Sequence, residues 1–366
     1  MSAVRELRLL SVATEAAGPP ASGIVCPADY LLDRARDLHT LFPSAGLRPV
    51  ALLRAQGLDA RAGSRVWLAL EVLQVTGSFK VRGALLAIDE LRRRGHTRAV
   101  AASAGNHGAG VAHAALVLGF DVTVVVPKTA PKTKIERIAR GARLLLSESS
   151  HYDGAEQEAR ELARLEDVPF LSPYDDLAVV AGNGASVGFE IFRELGRVPE
   201  TVLLPIGGGG LATGVACALL LEADRTGQPR PRVFGVQSEA SPAMALSLDR
   251  GSAVETLEPL GPTLAEGLEG GISRAGFERA RAVLAGVLVV SEASIGTAMV
   301  AMNRTTGLQI EGSAAAALAP LLDDLPAAVR SRDPDSDLVV VLTGGNVDAS
   351  VFQKLEVDYA GAAKLW

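Results

Sequence analysis

Thr201–Leu221 reads TVLLPIGGGGLATGVACALLL: a short apolar run, four glycines, then an apolar stretch without a break. A continuous run such as TVLLPI suits a parallel strand buried on both faces. Glycines at its end let successive amides turn toward an anion at the start of the following helix. The same alternation continues from about Val66 onward. DVTVVVP (Asp121–Pro127), RVFGV (Arg232–Val236) and LVVVL (Leu338–Leu342) read as further strands. Ala84, Ile88 and Leu91, and Val111, Ala114, Ala115 and Leu118, recur at helical spacing. The pattern predicts an α/β protein with mostly parallel sheets. No flexible linker separates two halves, so two domains, if present, are interleaved.

Composition narrows the function classes. The 366 residues carry 36 Lys+Arg against 42 Asp+Glu, and no basic excess invites nucleic acid or an anionic membrane surface. With 48% hydrophobic and 21% charged residues, the chain can bury a sizeable core. Leu211–Leu221 is too short to span a membrane, and Met1–Pro20 lacks the pattern of a signal peptide. Cys26 and Cys217 lie far apart outside any CxxC or Cys/His cluster, which predicts free thiols in a reducing compartment and no zinc. His39, His96 and His151 show no metal-ligand spacing. The expectation is a cytoplasmic protein with no metal, and with Gly18–Pro20 and Gln228–Pro231 as surface loops.

Four segments can carry chemistry, each where an open α/β sheet places its ligands. In TGSFKVRG (Thr76–Gly83), Lys80 lies between Phe79 and Val81, before a helix expected from about Ala84. A cation at a helix start is electrostatically misplaced, and apolar neighbours favour a neutral, nucleophilic amine. AASAGNHGAG (Ala101–Gly110) offers a tight turn of carboxylate or phosphate size ahead of a helix from about Gly108. Taken alone, Asn106 reads as a turn residue and His107 as an ordinary first-turn residue. Gly207–Gly210 lacks both a P-loop lysine and a completed GxGxxG, so one phosphate monoester is the economical ligand. TGGNVD (Thr343–Asp348) sets a hydroxyl at a strand end. Elsewhere, Asp175 and Asp176 read as helix caps, Arg92–Arg94 as a helix C-terminus, and Cys217 as core. A desolvated lysine, a phosphate cradle, a carboxylate-sized loop and a strand-end hydroxyl together describe a pyridoxal phosphate site for an amino acid.

From about Arg48 to Asp348 the chain resembles the fold type II pyridoxal-phosphate enzymes, and within them the threonine/serine dehydratase branch. TGSFKVRGA, ASAGNHGAGVA, SPYDD, GGGGLATGVA and TGGNVD carry the resemblance, in the family's order. It implies a tryptophan synthase β-like fold, with residues 1–97 and 177–366 as a large cofactor-binding domain and 98–176 as a small mobile one. By resemblance, Lys80 holds pyridoxal 5'-phosphate as a Schiff base and later takes the α-proton, with Phe79 near the ring. Asn106 meets the ring hydroxyl, and Thr343 faces the pyridine nitrogen. Gly207, Gly208, Gly209 and Gly210 hold the phosphate, with Leu211 opening the helix behind. Ser78, Ser103, Ala104, Gly105, Asn106 and His107 receive the amino-acid substrate.

The implied reaction is α,β-elimination of a β-hydroxy amino acid, L-threonine or L-serine, to a 2-oxo acid and ammonia, in a homodimer. Rivals are an ammonia-lyase for hydroxyaspartate, phenylserine or diaminopropionate, a β-replacement synthase, and a non-catalytic metabolite-binding module. Ala104 stands where the racemase branch has a serine, so racemisation is expected to be minor. Three positions depart from the family pattern: Leu70 before Glu71, Gly182–Asn183–Gly184–Ala185 in place of GQGT, and Gly312 in place of proline after Glu311.

Overall fold

The computed structural model describes residues 8–11, 26–149 and 152–365. His151, Gly18–Pro20 and most of Met1–Pro20 lie outside them. Ten strands are present among the described residues: β1 (Arg8–Ser11), β2 (Leu52–Arg54), β3 (Arg65–Leu70), β4 (Arg98–Ala102), β5 (Asp121–Val126), β6 (Arg143–Leu146), β7 (Thr201–Pro205), β8 (Arg232–Ser238), β9 (Gly286–Val290) and β10 (Asp337–Leu342). They form a seven-stranded sheet, β1-β9-β8-β7-β10-β3-β2, and a three-stranded sheet, β4-β5-β6. The expected α/β architecture with mostly parallel sheets is present. Among the described strands, only the edge pairings β1–β9 and β2–β3 are antiparallel. The three-stranded sheet is inserted in sequence between β3 and β7, so the two sheets are interleaved in the chain.

The order of the large sheet explains where ligand groups converge. β7 lies between β8 and β10, with Thr201 level with both Arg232 and Leu338. The C-terminal end of β7 therefore delivers Gly207–Gly210 beside the end of β10, which delivers Thr343. β3, on the other side of β10, leads into the Lys80 segment. Every residue of β7 and β10 is buried, as continuous apolar runs require.

The helix bearing Lys80 begins at Lys80 itself and runs to Arg93, four residues earlier than expected. Likewise the next helix begins at Asn106 rather than Gly108 and ends at Leu118. Leu85, Leu86 and Ile88 are each 0% exposed, and burying such side chains is worth ~1.5–3 kcal/mol apiece. Glycines let the backbones touch. A Cβ on Gly110 would lie 2.9 Å from the carbonyl carbon of Lys80. The GNGA departure forms a π-helical turn, Ala181–Ala185, wedged between the Lys80 helix and the helix Gly210–Thr226. There a Cβ on Gly182 would stand 2.6 Å from the Arg82 carbonyl, and one on Gly184 2.6 Å from that of Leu211. Asn183 joins the wedge by accepting from the Gly83 amide at 2.9 Å.

Arg82, two residues past Lys80, is 0% exposed and pairs with two carboxylates. Its guanidinium donates to Glu71 at 2.8 and 2.9 Å and to Glu190 at 2.9 Å twice. Burial pushes the Glu190 carboxyl up, but the His39 hydrogen bond and the Arg82 charge hold it down at about 2. Removing one partner of such a buried pair costs ~3–5 kcal/mol.

The cysteine expectation is corrected. Cys217 is buried, as expected, but it is bonded to Cys26, 191 residues away in sequence. The chain entering the helix Asp29–Arg36 runs against the Gly210–Thr226 helix, which carries Cys217 inward and brings the sulfurs together. Closing so long a loop removes unfolded-state entropy worth up to ~5 kcal/mol. Reductant, or Cys26→Ser, is expected to lower the urea midpoint and to steepen the denaturant slope, because the chain then unfolds to a more expanded state. An identical midpoint in both redox states would show that the bond contributes nothing.

Candidate active site

Four chain segments meet around Lys80. Ser78 bridges Gly344 in antiparallel fashion, and the Phe79 amide donates to the Thr343 carbonyl at 3.1 Å. The lysine segment and the end of β10 are thereby stitched into one wall. Lys80 Nζ donates to the Pro173 carbonyl at 3.3 Å and stands 5.1 Å from the Phe79 ring centre. Burial lowers its ammonium to about 8, while the nearby Glu311 charge opposes that shift. A substantial share of Lys80 is thus neutral near pH 8, as a nucleophilic amine must be.

Tyr174, next to Pro173, leads from Lys80 to the glycine loop. A Cβ on Gly208 would lie 2.5 Å from Cγ of Tyr174, so the ring rests on the loop backbone. The Tyr174 hydroxyl donates to Glu156 at 3.1 Å, on the helix Tyr152–Leu165 beside the small sheet. Gly209 has φ +85°, a left-handed conformation that turns the loop into the helix at Gly210. Among the described residues, the amides of Gly207–Leu211 find no acceptor within the chain. Gly209, Gly210 and Leu211 are buried, and buried donors of this kind are rarely left unpaired. A phosphate at the helix start would satisfy several of them at once.

On the opposite side, Asn106 Nδ2 donates to Glu311 Oε1 at 2.8 Å and Oε2 at 2.9 Å. Burial pushes the Glu311 carboxyl up, against the Asn106 hydrogen bond. One amide hydrogen shared by two carboxylate oxygens leaves the second free for another acceptor. Thr343 is 2% exposed at the end of β10.

In the loop before Asn106, Ser103 Oγ accepts from the Gly105 amide at 3.0 Å, while Gly105 itself is exposed. Ala104 is half-buried beside it. His107 is 4% exposed, and its Nε2 lies 3.3 Å from the Leu171 carbonyl, which can only accept. Burial and the Lys80 charge hold the imidazole down at about 3, so the ring is neutral and brings no charge to a carboxylate. His107 Nδ1 and Ser78 Oγ are buried without partners. Asp176 caps the helix Leu177–Val180, as expected, but Asp175 caps no helix and instead accepts from Arg279 and Ser273.

The structure thus gathers Ser78, Phe79, Lys80, Asn106, His107 and Thr343 around one site, with Tyr174 connecting Lys80 to Gly207–Leu211. Ser103, Ala104 and Gly105 form the loop ahead of Asn106. Sequence reading passed over Arg82, Tyr174 and Asn346. Tyr174 and Asn346 stand inside the quoted motifs SPYDD and TGGNVD, but nothing local distinguishes them from turn residues. Among the described residues there is no His/Cys/Asp/Glu group able to hold a metal, and no helix is long and apolar enough to cross a membrane.

The residues fit pyridoxal phosphate: an amine of lowered basicity, unpaired amides for the phosphate and an amide donor for the ring hydroxyl. Capture of the cofactor by apoprotein is expected to speed up with pH through a midpoint near 8, set by Lys80. Borohydride followed by peptide mapping should find the adduct on Lys80. An adduct elsewhere, or a midpoint near that of free lysine, would contradict the assignment.

The chain is 36% identical over 313 residues to an L-threonine ammonia-lyase of Thermotoga maritima, covering 83% of this chain and 73% of that protein. It is 35% identical over 305 residues to a catabolic L-threonine dehydratase of Escherichia coli, covering 81% and 87%. The structure of processed threonine deaminase isoform 2 from Solanum lycopersicum superposes with a TM-score of 0.78 at 28% identity, covering 94% of this chain and 98% of that one. Residues 44–344 match the family model described as pyridoxal-phosphate dependent enzyme. The chain belongs to that family of pyridoxal-phosphate dependent enzymes.

Proposed function

We propose that this protein is a pyridoxal-phosphate dependent ammonia-lyase that converts L-threonine or L-serine to the 2-oxo acid and ammonia, the water lost by elimination being taken up again when the product hydrolyses. The observation that carries the reading is the desolvated Lys80, set between the unpaired amides of Gly207–Leu211 and the Asn106–Glu311 pair. The names of its relatives point to the same chemistry.

When bound, the cofactor supplies an electron sink that acidifies the substrate α-carbon. Lys80, Asn106, Thr343 and Gly207–Gly210 hold it, and Phe79 and Leu211 border it. Lys80 Nζ, neutral in a large fraction near pH 8, takes the α-proton. Ser78 and the loop Ser103–His107 bind and orient the amino acid. In that loop the exposed Gly105 backbone, rather than the neutral His107 ring, meets the carboxylate. The buried walls around Lys80 exclude water from the reacting carbon. Ala104 presents a methyl group and cannot deliver a proton to the face opposite Lys80. General acid–base assistance is worth ~10²–10⁴-fold, so reprotonation there does not compete with elimination.

Residues 98–176 close over the substrate as the smaller body, against a large body of 1–97 and 177–366. Bridges at the rim that reach solvent support this reading. Lys134 pairs with Glu266 at 2.8 Å, and Thr133 meets Asp348 at 3.3 Å. Crystal structures with and without a substrate analogue should differ in the orientation of 98–176. Two superimposable structures would remove the proposal.

The protein acts as a homodimer. A monomer by light scattering would refute this. The cytoplasmic assignment has the Cys26–Cys217 bond against it, since such a compartment keeps most cysteines reduced. Thiol counting in protein alkylated inside the native cell tests it: two free thiols support the assignment, and none places the protein elsewhere.

A substrate panel tests the activity. L-threonine and L-serine should yield 2-oxo acid and ammonia faster than hydroxyaspartate, phenylserine or diaminopropionate do. D-enantiomer should accumulate far more slowly than the 2-oxo acid. Product from none of these, or D-enantiomer appearing at the rate of the 2-oxo acid, would overturn the reading.

A further inference from the structure

The orientation of the Asn106 amide is not free, and the residue that sets it has no role in the reading above. Asn346 Nδ2 donates to the Thr76 carbonyl at 2.9 Å and to Asn106 Oδ1 at 2.6 Å. A backbone carbonyl can only accept, so Thr76 dictates which way the Asn346 amide is turned. Asn346 then presents only hydrogens to Asn106. Asn106 must answer with its oxygen and direct Nδ2 toward Glu311. The Asn346 backbone amide also lies against Glu311, where it offsets part of the rise caused by burial. Asn346 thus touches both members of the Asn106–Glu311 pair.

The relay is locked from below. Gly77 has φ +72°, and a Cβ on it would overlap Asn346 Oδ1. The glycine one residue before Ser78 is therefore the floor on which the Asn346 amide rests. Its neighbour Gly345 donates to the Gly77 carbonyl at 3.0 Å, which fixes the register between the two segments.

We infer that Asn346 is a positioning residue: it holds Asn106 with its donor face toward the cofactor ring hydroxyl. The inference rests on the cofactor reading proposed above. Its consequence is electrostatic. A hydrogen bond donated to the ionised form of a hydroxyl favours that form and lowers its pKa. If Asn106 flips, an amide oxygen faces the ring hydroxyl instead, and the ionised form is disfavoured.

The test is a spectroscopic pH titration of the bound cofactor in holoenzyme. In Asn346→Asp the new carboxylate draws Asn106 Nδ2 toward itself, and in Asn346→Ala the constraint is gone. Both variants should bind pyridoxal phosphate, with the midpoint of the visible spectral transition raised by about one unit or more. Their kcat should fall about tenfold, with KM changed far less. Gly77→Ala, which crowds Asn346 without touching Asn106, should move the midpoint in the same direction and serves if Asn346 variants do not fold. Folded variants that keep the wild-type midpoint, with lower thermal stability only, would make Asn346 a packing residue and overturn the inference. Wild-type protein that shows no cofactor absorption would instead overturn the reading on which it rests.

Discussion

The contact between the Asn106–Leu118 helix and the backbone at Lys80 is the constraint from which the site follows. Gly110 has no room for a side chain there. Only at that separation can the start of one helix offer Asn106 while the start of the other offers Lys80. A methyl group inserted between them would push apart groups that must address one small cofactor. Helix N-termini with unpaired amides also favour anions. An amine at such an end is held in an unfavourable field, and burial in this contact lowers the basicity of Lys80. Proximity and electrostatics therefore act on the same atom.

The charges beneath the site are arranged so that none of them disturbs this. Arg82 follows Lys80 by two residues, yet Glu71 and Glu190 enclose its guanidinium. His39 and the Val50 amide share the same two Glu190 oxygens, Oε1 and Oε2 respectively, with Arg82. Such a cluster gains little over an apolar core of the same volume, but losing one member leaves a buried charge uncompensated. Its use here is geometric: it pins the first turn of the Lys80 helix to the strand end carrying Glu71 and to the helix Ser186–Leu195 carrying Glu190.

Much of the fold was legible because it depends on local signals. β7 and β10 are apolar runs with glycine behind them, and burial on both faces leaves no other reading. Lys80 and Gly207–Gly210 were legible because their composition is anomalous for an ordinary helix start or turn. Long-range pairings were not. Nothing in the spacing of Cys26 and Cys217 indicates that 191 residues of chain return one to the other. Arg82 looks like any charged helical residue until Glu71 and Glu190 arrive from other elements. The helix starts were read late because a cation is disfavoured at a helix start and asparagine is a weak helix former, and tertiary contacts, not local preference, place Lys80 and Asn106 there.

The Gly312 departure from the family pattern is answered in the packing. Gly312 opens the helix Gly312–Leu318 at a position where proline is favoured by its fixed φ. Here the Leu264 carbonyl passes so near that even a Cβ would overlap it. Exchanging a rigid residue for a bare one therefore allows the segment around Leu264 to close on the helix start behind Glu311. Ser313 then reaches that segment, its Oγ accepting from the Gly267 amide at 3.0 Å. Gly267 and Leu268 in turn lie against Gly207, the first residue of the glycine loop. One missing side chain thus links the helix behind Glu311 to the wall of the phosphate cradle. The two ends of the cofactor site are held at a fixed distance by main chain rather than by the ring of a proline.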